Sequence, residues 1–203
     1  MLAEIDLTII IFQDYGPKPG LGERRAKAIA ELPFEVVGLG ISEAGTLGLV
    51  NWDQPEISSF GMVLNNANMA AVYKRNFQTI SDQLKRYLTA DMNVFTHNPW
   101  GEYGHADHVQ TYRIIEDLKA GLGFKLFVSS YVSSQTIPLA KNYASSTTAE
   151  NFSCPINSKS ANQIADIYKN TVAGHGPMTG SGTRSNISSL DPFSAPLMTI
   201  RNL

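Results

Sequence analysis

The sequence predicts an α/β sandwich with a mainly parallel sheet. Residues 7–12, Leu-Thr-Ile-Ile-Ile-Phe, are a continuous apolar, β-branched run, which is typical of a strand covered on both faces. Residues 68–88 carry apolar side chains at spacings of three and four, the pattern of a helix with one buried face. Because strands and helices alternate along the chain, we expect helices packed on a sheet.

The other elements follow from composition and from helix and turn signals. A short helix over 23–32, rich in Ala, Arg and Lys, ends at Pro33. A second strand is expected over 34–39, and the Gly-rich, aperiodic segment 40–66 is interpreted as a long loop. The later part of the chain is expected to hold a strand, a helix, a strand and a helix, over 93–96, 105–120, 124–128 and 163–172.

The predicted α/β domain spans 1–172, and the composition changes after it. Residues 173–203 are rich in Gly, Ser, Pro and Thr, which bury too little apolar surface to offset the entropy of ordering. We therefore expect a loosely ordered tail there.

Composition excludes several classes of protein. With 203 residues and a formal net charge of -2, the chain lacks the density of Lys and Arg that non-specific nucleic-acid binding requires. No apolar run approaches the ~20 residues of a membrane-spanning helix. The single cysteine cannot form an intrachain disulfide and fits a reducing compartment. We predict a soluble, cytoplasmic protein with a small-molecule partner and neither a nucleic-acid partner nor a membrane span.

The chemically informative segment is 97–108, which contains His97, His105 and His108, three of the four histidines. It follows a predicted strand and opens a predicted helix. Ligands of open α/β sheets bind where strands deliver loops at their carboxyl ends. A helix start there also offers free N–H groups and the positive end of a dipole.

His105 and His108 are three residues apart, so they share one face of the helix start. Imidazole binds zinc and similar cations through one nitrogen, while an acceptor holds the other. Asp107 and Glu102 are the local candidates for that acceptor. The alternative is that the two histidines only cap or solvate the helix.

The segment 97–108, His-Asn-Pro-Trp-Gly-Glu-Tyr-Gly-His-Ala-Asp-His, resembles the second signature of the PIG-L/LmbE-like de-N-acetylases. In that family a loop ending in Gly-His-x-Asp-His opens a helix. The resemblance implies a Rossmann-like three-layer sandwich that removes an N-acetyl group from an amino sugar or a related small amide. The metal of the family is usually zinc.

Site roles follow from the same resemblance. His108 matches a metal ligand, and His105 matches the histidine that stabilises the tetrahedral oxyanion or protonates the leaving amine. Asp107 would orient a neighbouring imidazole. Five further residues are candidates for substrate binding: His97, Trp100, Glu102, Arg24 and Arg25. His97 either points into the cleft or packs under the loop, and Trp100 either stacks on a sugar or anchors the loop.

The sequence also departs from the family. The first signature, His-Pro-Asp-Asp-Glu, supplies two more ligands and a general base, yet no histidine precedes His97. Either an upstream segment with the family's first strand is missing, or the site is degenerate. We therefore expect weak or no binding of Zn²⁺ or another divalent metal, slow or no hydrolysis, and self-association through an exposed sheet edge. Asp14 is a substitute ligand or base, or else a turn residue.

Three functional hypotheses remain open from the sequence. The first is a metal-dependent hydrolase-like protein, active or not. The second is a non-catalytic module that binds a carbohydrate or a partner and keeps the fold. The third is an unrelated α/β protein in which His105 and His108 cap a helix.

Overall fold

The computed structural model describes residues 7–14, 21–42, 44–144, 150–153, 159, 162–164, 166–167 and 199–202. The chain divides into two compact units, Met1–Ser42 with Pro155–Leu197, and Glu43–Cys154 with Met198–Leu203. The predicted domain over 1–172 contributes to both units. Of the predicted tail over 173–203, only 199–202 lie among the described residues.

The first unit contains a strand–helix–strand segment. Strand β1 is Thr8–Asp14, helix α1 is Leu21–Ala30 and strand β2 is Glu35–Ser42. The strands pair in parallel, with Ile10 opposite Val37, so the expected strands and the short helix are confirmed. Helical residues also occur at 162–164 and 166–167; the rest of the helix expected over 163–172 lies outside the described residues.

The second unit holds the remaining described elements. They are β3 (Ile57–Ser58), β4 (Gly61–Met62), α2 (Ala67–Leu84), β5 (Asn93–Thr96), α3 (Ala106–Leu122), β6 (Lys125–Ser129), a 3₁₀ turn (Ser134–Thr136), α4 (Ile137–Ala144), β7 (Glu150–Ser153) and β8 (Thr199–Asn202). Four strands form one sheet in the order β5-β6-β8-β7. Strands β5 and β6 are parallel, whereas β8 is antiparallel to both of its neighbours.

The sequence prediction of an α/β protein is confirmed at the level of its elements. Helices alternate with two parallel strand pairs, β1–β2 and β5–β6. The prediction of a mainly parallel sheet is wrong for the four-stranded sheet, in which two of the three strand pairs are antiparallel, because β8 joins segments that lie far apart in the chain. The expected long loop contains the β3–β4 hairpin. No helix among the described residues is both long and apolar enough to cross a membrane.

Helix α2 begins where the side chain of Asn66 accepts a hydrogen bond from the Met69 N–H at 3.1 Å. Such a cap satisfies one of the free donors of a helix start. The buried stripe is formed by Tyr73, Phe77, Ile80 and Leu84, as the spacing predicts. The helix ends at Leu84 rather than at residue 88, and a turn over 85–87 brings Leu88 back into the core.

The start of α3 is fixed by α2 and the β3–β4 hairpin. The buried Tyr73 hydroxyl donates to the carbonyl oxygen of Ala106 at 2.5 Å and accepts from the Met62 N–H at 3.3 Å. Gln110, also buried, donates to the carbonyl oxygens of Tyr73 and Phe60 at 2.8 and 3.1 Å. These bonds hold the start of α3, where His105 is the N-cap and His108 lies in the first turn.

Candidate metal centre

The loop between β5 and α3 has an unusual backbone. Gly101, Glu102 and Gly104 have φ values of 74°, 52° and 95°, and Glu102 is the one non-glycine residue with positive φ in the described part of the chain. A left-handed conformation costs a side-chain-bearing residue about 1–2 kcal/mol. Such costs persist where the surroundings fix the conformation, often at functional sites.

Glu102 is tied down by its own backbone and by one carboxylate oxygen. Its N–H donates to Asn98 Oδ1 at 3.0 Å, while its Oε1 accepts from the Asn98 N–H at 2.8 Å and from Ser129 Oγ at 3.4 Å. Its carbonyl oxygen accepts from Thr136 Oγ1 at 2.9 Å. The carboxylate is therefore anchored to the strand ends of β5 and β6.

The other carboxylate oxygen, Oε2, meets two imidazoles. It lies 2.7 Å from Nδ1 of His108 and 3.2 Å from Nδ1 of His97. The Glu102 and His108 side chains are only 14% and 19% exposed, whereas His97 is 42% exposed. One largely enclosed carboxylate oxygen thus contacts two histidines from opposite ends of the loop.

The rings form a stacked group. The His97 and His108 rings are 3.7 Å apart at centroids and 13° from parallel, and His105 lies 4.9 Å from His108. Tyr103 stands edge-on to His108, with its hydroxyl 3.5 Å from His108 Nε2. The two histidines predicted to share a helix face do converge.

His105 is the N-cap of α3. Its Nδ1 accepts a hydrogen bond from the Asp107 N–H at 3.3 Å. The Asp107 carboxylate lies 3.9 Å from the same nitrogen, too far for a hydrogen bond. Among the two acceptors expected for His108, Glu102 is the one in contact.

Asn98 and Trp100 hold the loop against the end of β6. Asn98 is fully buried, and its Nδ2 donates to Ser129 Oγ at 3.1 Å and to the Tyr131 carbonyl oxygen at 2.9 Å. Trp100, 3% exposed, donates from Nε1 to the same carbonyl at 2.6 Å. Trp100 therefore anchors the loop, one of the two roles expected for it.

Electrostatics favour an ionised Glu102 beside neutral His108. Burial by itself raises the pKa of the Glu102 carboxyl, but hydrogen bonds from His108 and His97 outweigh burial and lower that pKa to about 2. Burial lowers the pKa of His108, and the neighbouring His97 and His105 add to this effect against the opposing pull of Glu102. Glu102 therefore supplies a fixed negative charge to the site at neutral pH.

The chemistry of the donors fits a divalent metal. His97, Glu102 and His108 could hold an ion, since one donor atom of each lies within 4.8 Å of the others. Two imidazoles and a carboxylate form a donor set found in catalytic zinc sites. An ion lies in the plane of each imidazole that binds it, so two nearly parallel rings cannot share one. The more exposed ring, His97, would have to tilt out of the stack.

The structure brings together five of the sequence-predicted site residues: His97, Glu102, His105, Asp107 and His108. Asp14, Arg24 and Arg25 belong to the first unit, and their roles at this site stay predictions. Three residues that hold Glu102 were not predicted from the sequence: Asn98, Ser129 and Thr136. Ser129 ends β6, the strand beside β5, so the rule that points to His97 at a strand end also applies to it.

Acid should weaken the fold through Glu102. Its pKa falls from 4.5 to about 2 on folding, so its stabilisation is complete above its unfolded-state pKa and is lost as pH falls towards 2. In chelator-treated protein we expect the free energy of unfolding by urea to drop by about 2 kcal/mol more between pH 6 and pH 3 than in Glu102→Gln. The lowered pKa of His108 acts in the same direction. Equal slopes in the two proteins would contradict this assignment.

Comparison with known proteins gives no relative from which a role could be transferred. No family model matches the chain, and no curated protein or solved structure matches it. The resemblance to the de-N-acetylases therefore stays a prediction.

Proposed function

We propose that this chain is a metal-binding hydrolase-like protein whose site is the group His97, Glu102 and His108. The observation that carries the proposal is the carboxylate of Glu102, 14% exposed, which contacts the Nδ1 atoms of both imidazoles at 2.7 and 3.2 Å. Metal-binding histidines commonly donate their second ring N–H to a carboxylate, and ligands of open α/β sheets bind at strand ends, so this arrangement supports a metal centre.

Segment 97–108 offers more metal-binding groups than the resemblance implies. The resemblance assigns one ligand to this segment, His108, and leaves the others to a signature that the sequence lacks. Here His97 and Glu102 lie beside His108, so the loop itself offers a second imidazole and a carboxylate that either binds the ion or orients the two rings. Asp14 is then not needed as a substitute ligand.

The reaction class we propose is hydrolysis of an N-acetyl group or a similar small amide. A divalent metal would supply Lewis-acid polarisation of a carbonyl and a more acidic bound water. His105 is 20% exposed and lies 4.9 Å from His108. It accepts the Asp107 N–H through Nδ1, so in its neutral form its Nε2–H is available to donate to a developing oxyanion.

The finer fold belongs to the same proposal. Within each unit, a helix connects the two strands of a parallel pair, and this local arrangement supports a Rossmann-like fold. The amino-sugar substrate, the cytoplasmic location and a homo-oligomer remain predictions from the sequence.

Zinc titration tests the metal centre. By isothermal calorimetry on chelator-treated protein we expect one Zn²⁺ per chain, with His108→Ala weakening the affinity by more than about 100-fold, because a lost ligand costs more than a lost supporting contact. His105→Ala is the matched control: it removes an imidazole from the same stack but no proposed ligand. It should leave the affinity close to wild type and cost about 1 kcal/mol of stability through the lost cap.

Acetate release tests the reaction. Zinc-loaded protein should release acetate from N-acetylglucosamine conjugates, and both His105→Ala and His108→Ala should abolish the release. Zinc binding without acetate release would overturn the hydrolase and favour the non-catalytic module. Absence of zinc binding at micromolar concentration would overturn the metal centre itself.

A further inference from the structure

Glu102 contacts ring nitrogens in a way that assigns their protons. An ionised carboxylate only accepts hydrogen bonds. Its Oε2 lies within hydrogen-bond distance of Nδ1 in both His108 and His97, at 2.7 and 3.2 Å. Each of these nitrogens must then be a donor, so each neutral ring carries its proton on Nδ1.

Hydrogen bonds other than those to the histidines also orient the Glu102 carboxylate. Oε1 accepts from the Asn98 N–H and from Ser129 Oγ, and the Glu102 backbone is held on both sides by Asn98 and Thr136. Ser129 lies at the end of β6, outside the histidine loop. Glu102 therefore has an orientation supported independently of the two rings.

We infer that Glu102 is a positioning residue that fixes His97 and His108 as Nδ1-protonated imidazoles and so makes Nε2 the nitrogen that each presents to a cation. The second half of this inference rests on the proposed metal centre; the first half is a property of the metal-free protein. Metal-binding histidines commonly donate their other N–H to a carboxylate in this way.

Tyr103 occupies the face that such a cation would approach. Its hydroxyl lies 3.5 Å from His108 Nε2, and an unprotonated Nε2 can only accept. The Tyr103 hydroxyl then donates to His108 Nε2, and His108 Nδ1–H donates to Glu102 Oε2. A cation arriving at Nε2 would displace the hydroxyl, which is on an exposed side chain.

His105 provides an internal reference of opposite tautomer. Its Nδ1 accepts the Asp107 N–H at 3.3 Å, so its neutral ring carries the proton on Nε2. Long-range ¹H–¹⁵N correlation NMR of the imidazoles, on chelator-treated protein at about pH 8.5, where imidazoles are neutral, distinguishes the two forms. Single His→Ala variants assign the signals.

The expected spectrum has Nδ1–H in His97 and His108 and Nε2–H in His105. Adding one equivalent of Zn²⁺ should shift the Nε2 resonance of His108 and leave its Nδ1 protonated. An Nε2–H tautomer of His108 in the metal-free protein, or zinc on its Nδ1, would overturn the inference. Zinc on Nδ1 would make Glu102 a direct ligand.

Two variants test whether Glu102 sets the tautomer of the histidines or only supports the fold of the loop. Glu102→Gln can both donate and accept, so the single tautomer of His108 should become a mixture, and the zinc affinity should fall about 10- to 100-fold. Tyr103→Phe keeps the ring and should keep the tautomer and at least the wild-type affinity. If Glu102→Gln does not fold, the wild-type spectrum alone decides.

The tautomer spectrum and the zinc titration test the role of Glu102 and the metal centre separately. The expected tautomers without any zinc binding would uphold the role of Glu102 on the rings and overturn the proposed metal site. Zinc binding with the opposite tautomer of His108 would do the reverse.

Discussion

Asn98→Ala is expected to destabilise the protein by about 3–4 kcal/mol. The fully buried side chain makes three hydrogen bonds, accepting from the Glu102 N–H and donating to Ser129 Oγ and to the Tyr131 carbonyl oxygen. Truncation leaves the part-buried Glu102 N–H without its acceptor, at a cost of about 1–3 kcal/mol, and removes two further hydrogen bonds at about 0.5–1.5 kcal/mol each, while Ser129 Oγ and the Tyr131 carbonyl keep Glu102 Oε1 and Trp100 Nε1 as partners. Urea unfolding followed by circular dichroism gives the difference in the free energy of unfolding.

Asn51→Ala is the matched control for this substitution. The Asn51 side chain also accepts hydrogen bonds, from the N–H groups of Asp53 and Gln54 at 3.2 and 3.3 Å, but at an exposed position. Water replaces these bonds, so we expect a loss below about 1 kcal/mol. Similar losses in the two variants would show that Asn98 does not hold the loop. The zinc affinity should fall in Asn98→Ala alone.

Gly101→Ala is expected to cost about 3 kcal/mol and to displace the histidine loop. A Cβ at this position would lie 2.8 Å from the His105 carbonyl oxygen and 2.9 Å from Val109 Cγ2, with φ at +74°. The left-handed backbone contributes about 1–2 kcal/mol, and the collision with the start of α3 contributes about 1–3 kcal/mol. Because backbone is in the way, a rotamer change cannot relieve it.

Gly121→Ala, in the last turn of α3, should have the opposite sign. An added Cβ meets nothing within 4 Å and φ is not in the left-handed range. Alanine in place of helical glycine stabilises by about 0.5–1 kcal/mol. Thermal unfolding of both variants, with zinc titration of Gly101→Ala, checks the pair. Equal stability of the two variants would refute the steric assignment.

Local patterns account for the part of the fold that the sequence predicted. The apolar spacing of α2 and the β-branched run of β1 are set by neighbours in the chain, so they are readable without tertiary information. Helix α4 was missed, since Ile137–Ala144 is short and has too few turns to show a period. Strand β8 depends on pairing with β6, which no local pattern encodes.

The sequence predicted which residues form the site, but not which acidic residue contacts His108. The sequence offered Asp107 and Glu102 as partners of His108, and the structure places Glu102 there. Adjacent residues on a helix do not face each other, so Asp107 cannot reach the His108 ring from one position earlier. Glu102 reaches it because its left-handed backbone turns the loop back over the helix start.

All three residues of the proposed metal centre lie on one short stretch of chain, 97–108. The chain entropy lost when the ends of a loop are brought together is small for a short loop. A bound ion would therefore order this stretch and little else of the chain. Binding would then stabilise the folded state by mass action, while the rest of the chain would gain order mainly through the contacts of Asn98 and Trp100. A peptide carrying this stretch alone would lack those contacts, and we expect it to hold zinc far more weakly than the protein does.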